Sequence, residues 1–227
     1  MKKIKTLTAV LLALMFVLFA MGSGESSSET PVVDDDVVVN DVIDEPTEAP
    51  EAVKKTVSRG TIIGDVYTND FVGFTFTKPA DWVYATDEEI AQTINAGQSM
   101  VDLNLLEEAL STTASIYDMY AIDDYGNNVM VCYENTMLTA FREITVDEYV
   151  ESFKTQLLSV DAYDYEISST EDITLGGTAY KKIIATADYN GYTITQAYYI
   201  TTIDNYAVSI IFTASTMDIA EMEAMLG

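Results

Sequence analysis

Between residues 58 and 227, apolar side chains recur first with a period of two, then of 3.6, then of two again. These are the periods of half-buried strands and amphipathic helices. Val72, Phe74 and Phe76 alternate with Gly73, Thr75 and Thr77, which predicts a strand with one buried face. Pro79 has no amide hydrogen for a ladder and ends that strand. Ala80-Asp81 turns the chain, and Trp82-Val83-Tyr84 resumes as a short extended piece. Thr86-Asp87-Glu88-Glu89 then has the spacing of a capping box, with Ile90, Ala91 and Ile94 giving the helix its apolar side. After a break at Asn95-Ala96-Gly97, a second helix is expected over about 99–110, from Met100, Leu103, Leu106 and Leu110.

Two strands follow, over 115–121 and 128–137, around the turn Asp123-Asp124-Tyr125-Gly126-Asn127. Thr145-Val146-Asp147-Glu148 is a second capping box, and it opens a helix with Val146, Tyr149, Val150, Phe153, Leu157 and Val160 on one face. The rest reads as a meander: 165–175, a Gly176-Gly177 turn, 179–189, and a tight hairpin at Asn190-Gly191. Pairing Tyr189 with Tyr192 also pairs Ala187 with Ile194 and Ile183 with Tyr198, which makes an apolar face. Ile184, Ala197 and Tyr199 fall on the other face, so neither side is purely solvated. A last strand, 206–213, sets Val208, Ile210 and Phe212 against Ile211. Ser215-Thr216-Met217-Asp218 caps a short helix carrying Ile219, Met222 and Leu226. Apolar residues on both sheet faces predict an α+β fold: an α/β/α sandwich, with a central, mostly antiparallel sheet and helices on both faces.

The N-terminal quarter reads differently. Lys2, Lys3 and Lys5 precede an apolar run from Leu7 to Met21, broken only by Thr8. Those 15 residues span ~22 Å as a helix, short of the ~30 Å hydrocarbon core of a bilayer. Residues 1–22 are therefore expected to be a signal peptide, and an uncleaved anchor is the alternative. Leu18-Phe19-Ala20 before Gly22-Ser23 resembles the lipobox of bacterial lipoproteins. Met21 occupies the position of the lipidated cysteine there, and a thioether cannot accept a diacylglycerol. Residues 23–57 are expected to be an acidic disordered linker: ten acidic and no basic residues lie between Glu25 and Glu51, and self-repulsion extends such a chain. A docking strand around Val37-Val38-Val39 is the alternative there. The remainder, 58–227, is long enough for one domain with its own core.

Formal net charge is −26, and residues 54–227 carry eight basic against 27 acidic residues. Such a surface repels nucleic acid and anionic headgroups, so no nucleic-acid partner is expected and any membrane contact runs through the N-terminal segment alone. Cys132 is the single cysteine, which excludes an intrachain disulfide.

The stretch Gly73-Phe74-Thr75-Phe76-Thr77-Lys78-Pro79-Ala80-Asp81-Trp82, the helix opening Thr145-Val146-Asp147-Glu148-Tyr149 and the entry Ile173-Thr174-Leu175-Gly176-Gly177 together resemble the PsbP-like fold, over roughly 61–226. That resemblance implies an α/β/α sandwich of the kind shared by a photosynthetic oxygen-evolving subunit, a small Ran-binding nuclear import factor and many exported bacterial lipoproteins. It implies no shared catalytic residues.

Histidine is absent, which removes the commonest general base and zinc ligand. Cys132 lies in an alternating strand and reads as a small buried hydrophobe. The carboxylate pairs Glu88-Glu89, Glu107-Glu108, Asp123-Asp124, Asp147-Glu148 and Glu171-Asp172 are sequence neighbours, whereas a glycosidase needs two carboxylates converging across a cleft. The stretch at 123–128 offers oxygen ligands in a glycine turn, without the spacing of a calcium loop. Trp82 either plugs the end of a sheet or grips a ligand together with Tyr84, and its place between a strand-ending proline and a helix cap favours the plug. The 15 tyrosines fit both a binding surface and strand packing. No catalytic, cofactor-binding or metal-binding residue is assigned, and no cofactor is expected. The expectation is an exported, extracellular or cell-surface bacterial module, not an enzyme. It would bind a protein or small ligand through a sheet edge or the cleft near the helix after Thr86. The alternatives are a carboxylate-only hydrolase of extracellular glycans and a low-affinity divalent-cation module.

Overall fold

The computed structural model describes residues 57–93, 115–160, 163–189 and 191–227. Its elements in chain order are β1 (Thr61–Ile63), β2 (Val66–Asn69), β3 (Phe74–Thr77), β4 (Val83–Tyr84), α1 (Asp87–Thr93), β5 (Ser115–Ile122), β6 (Asn128–Asn135), α2 (Thr136–Thr139), α3 (Val146–Leu158), β7 (Asp164–Leu175), β8 (Thr178–Tyr189), β9 (Tyr192–Ile203), β10 (Tyr206–Ala214) and α4 (Ile219–Glu223). The helix expected over 99–110, the N-terminal segment and the acidic linker lie outside the described residues.

Seven strands form one antiparallel sheet in the order β4-β5-β6-β10-β9-β8-β7. The hairpin register is the one its glycine turn dictates: Tyr189 faces Tyr192, Ala187 faces Ile194 and Ile183 faces Tyr198. Alternation along β10 sends Val208, Ile210 and Phe212 into one core and Ala207 and Ile211 into another. The second core is roofed by α3, where Tyr149, Val150, Phe153 and Leu157 are buried. Each such side chain contributes about 1.5–3 kcal/mol of burial, and Phe153 meets the Tyr198 ring edge-on at 4.8 Å.

The opposite face is covered differently from the helical layer expected of it. A separate three-stranded sheet, β1-β2-β3, lies there together with the five-residue α4. Phe74 and Phe76 from β3 and Met222 from α4 enter the same core as Phe212. Close backbone contact holds the small sheet to the large one. Gly176 (φ 51°) touches Gly73 so tightly that a β-carbon on Gly176 would lie 2.0 Å from the Gly73 carbonyl oxygen. The strand expected over 128–137 ends at Asn135, whose side chain accepts from the Met137 amide and starts the α2 turn. Among the described residues no helix is long and apolar enough to cross a membrane.

Candidate binding surface

Trp82 is 2% exposed and packs 6.2 Å from the Phe76 ring, so the indole is a plug. Tyr84 is spent nearby: its hydroxyl donates to the Asp65 carbonyl and its ring lies under the Lys78 ammonium. Cys132 is buried on the α3 side, and that burial pushes its thiol up to about 12.

The carboxylate pairs resolve into separate duties. Glu89 accepts from the Thr86 amide and hydroxyl, which lowers its pKa and closes the first capping box. Asp123 accepts from the amides of Tyr125 and Asn127 and from the Asn127 side chain, so its oxygens shape the turn. Glu148 caps α3 and holds Arg142 at 3.0 Å. Glu171 and Asp172, adjacent on a strand, point to opposite faces. Glu171 meets Lys182 at 3.3 Å and Asp172 meets Lys181 at 2.7 Å. Glu107-Glu108 lies outside the described residues. Among the described residues, no cluster of three or more histidine, cysteine or carboxylate groups could hold a metal.

Sequence reading missed two buried carboxylates. Asp118 is the extra residue where β5 bulges between Tyr117 and Met119, and its side chain meets the small sheet at Tyr67 and Asn69. Its carboxylate accepts from Arg59 Nε (2.8 Å), the Gly60 amide (2.8 Å), Tyr67 Oη (2.6 Å) and Asn69 Nδ2 (3.0 Å). Burial, and then the Asp118 charge, raise the Tyr67 and Tyr133 hydroxyls well above the ordinary phenol range. Glu134, beneath α3, accepts from Tyr149 Oη, and burial raises its pKa against the lowering effect of its hydrogen bonds. Both carboxylates are enclosed (4% and 2% exposed), so neither reaches a substrate. The Asp118 network also settles the cleft near α1. Arg59 spans it, binding Asp118 on one side and Asp87 of α1 at 3.0 Å on the other.

The sheet edges are then unequal. Along the β5 edge, β4 pairs at Ile122 and Ala121, the Ala85 amide donates to the Tyr120 carbonyl, and Arg59 donates to the Asp118 carbonyl. At β3, the Thr77 amide donates to the Met225 carbonyl and the Thr75 carbonyl accepts from the Gly227 amide, so the C-terminal turn covers that edge. Among the described residues the twelve-residue β7 pairs only with β8 and ends the large sheet, mostly exposed. Beside it lies a groove of about 440 Å³ lined by Val146, Asp147, Asp172, Ile173, Thr174 and Lys181, among others. Asp172 and then Asp147 hold the Lys181 ammonium charged and raise its pKa. Here two carboxylates do converge, but on a lysine, and both are exposed. Neither sits in the apolar surroundings that the acid of a glycoside hydrolase needs.

No protein-family model matches the chain, and no curated protein matches it. Among solved structures, the solution structure of the cyanobacterial PsbP protein CyanoP from Synechocystis sp. PCC 6803 is similar over 81% of this chain and 99% of that one, at 11% identity and a TM-score of 0.43. LpqN, involved in cell envelope biogenesis of Mycobacterium tuberculosis, is similar over 67% of this chain and 76% of its own, at 10% identity and a TM-score of 0.38.

Proposed function

We propose that this protein is an exported, non-catalytic binding module that takes an extended polypeptide partner along the free edge of β7. The module is a PsbP-like α+β fold held beyond an acidic spacer, itself behind a signal peptide. The observation that carries the reading is the edge: a twelve-residue strand, mostly exposed, with no strand outside it among the described residues, beside the Lys181 groove. An added strand satisfies the unpaired amides and carbonyls of such an edge, and side-chain pockets next to it give selectivity. The competing cleft near α1 is spanned by Arg59.

The test is selection of displayed random ten-residue peptides on the full-length protein, followed by amide exchange mapping of the binders. Slowed exchange at 164–175 is expected, because a docked strand protects the amides it pairs with. Binders that protect only other surfaces would overturn the reading.

A further inference from the structure

The chemistry of the partner is written on the two ends of β7. Four acidic residues and no basic ones lie on this strand: Asp164, Glu166, Glu171 and Asp172. The latter two face lysines across the ladder, in register with Lys182 and Lys181, and ion pairs are formed at both. Among the described residues Asp164 has no such counterpart. It lies directly opposite Asp188, another exposed carboxylate, whose oxygens accept from the Gly191 amide and the Thr193 hydroxyl, and Glu166 lies opposite Thr186. Like charges facing each other across a ladder are destabilising. The bulge at Ser168, whose hydroxyl donates to the Ile184 carbonyl, separates this acidic end from the compensated one.

Resting on the proposed edge-binding reading, we infer that the partner is a basic extended segment, with Lys or Arg at alternate positions. Its cations pair with Asp164 and Glu166. The spacing fits. Asp164 and Glu166 are two apart and share one face of the strand, and a docked strand brings its own side chains to about 4.5–5.5 Å between β-carbons. Alternate cations therefore meet both carboxylates at once, and the first of them relieves the Asp164–Asp188 repulsion. The overall charge of −26 steers cationic chains toward the molecule. The same carboxylates repel acidic and self-like strands, so the edge stays open without pairing to copies of itself.

The experiment uses the full chain and three synthetic ten-residue peptides of alternating residues: Lys with Thr, Gln with Thr, and Glu with Thr. Fluorescence anisotropy reads affinity, and backbone amide shifts read the site. The Lys peptide is expected to bind at least about tenfold more tightly than the Gln peptide in 50 mM salt, to weaken about tenfold by 300 mM, and to shift amides of 164–167. The double variant Asp164→Lys with Glu166→Lys should lose that preference. Asp81→Lys with Asp124→Lys, an equal charge change on exposed residues elsewhere, should retain most of it. Equal binding of Lys and Gln peptides at β7, or equal losses in the two double variants, overturns the basic-partner inference while leaving edge binding intact. If no peptide of any charge moves the amides of 164–175, the edge-binding reading itself fails.

Discussion

A single residue, Asp118, ties the two sheets together. Its side chain is fully enclosed, and its charge is matched by Arg59 on a stretch that precedes the small sheet. Tyr67 and Asn69 of β2 donate to the same carboxylate. Removing one partner from a buried pair strands the other, which costs more than the pair itself contributes. Asp118→Asn replaces an acceptor by a donor that faces the Tyr67 hydroxyl and the Gly60 amide. A loss of about 3 kcal/mol is expected in the denaturant midpoint. In the Arg59→Met background the further loss should be smaller, because the cation is already gone. A loss under about 1 kcal/mol for Asp118→Asn would show that the network is slack. No pattern in the sequence marks this aspartate. Alternation places Asp118 on the same face as Ile116, where an apolar residue is expected, and the Arg59, Tyr67 and Asn69 partners that make a carboxylate tolerable there come from segments about 50 to 60 residues away.

Elements that rest on local chemistry were legible in the sequence. The hairpin at Gly191 fixes a register that the strands obey residue by residue, and α3 starts where its capping box places it. The small sheet was not legible as a separate layer. β1 and β2 are three and four residues long, too short for a hydrophobic period to declare itself, and their pairing is fixed by tertiary contact. The free β7 edge was equally hidden, since strand order is a property of the assembled sheet. The α3 cap supports a prediction of its own. Hydrogen bonds from Arg142, and then from Thr145, lower the Glu148 pKa to about 2. A carboxylate with a depressed folded-state pKa stabilises the fold above its unfolded value near 4.3, and loses that contribution as pH falls toward 2. Glu148→Gln should therefore be less stable than wild type at pH 7, and the gap should close between pH 4.5 and 2. A gap that stays constant over that window would mean the ionised carboxylate contributes nothing. Thr145→Ala should cost about 1 kcal/mol at pH 7, and the part that comes from its hydroxyl bond to ionised Glu148 should fade over the same acid window.

At the scale of the whole molecule, charge is the dominant fact. With 37 acidic and 11 basic residues, self-repulsion opposes the compact state. Local pairing offsets part of it: Lys78, Arg142, Lys154, Lys181 and Lys182 each hold at least one carboxylate. The excess acid remains, spread over the surface and separated by more than contact distance. Interactions of that range are screened once the Debye length falls from ~30 Å at 0.01 M salt to ~8 Å at 0.15 M. Sodium chloride over that range should raise the melting temperature by roughly 3–6 °C, the size a gain of one to two kcal/mol has in a domain of this length. Calcium chloride separates screening from a cation site. At matched ionic strength, diffuse repulsion predicts a rise close to that with sodium, since Asp123 is already engaged by the turn and no three described carboxylates gather around a common point. A bound cation would instead add RT ln(1 + [L]/Kd) on top of the salt effect, and the excess would grow with calcium concentration. A concentration-dependent excess over the sodium control would therefore restore the divalent-cation reading. Coincident curves for the two salts would leave the surface charge free to choose a basic partner.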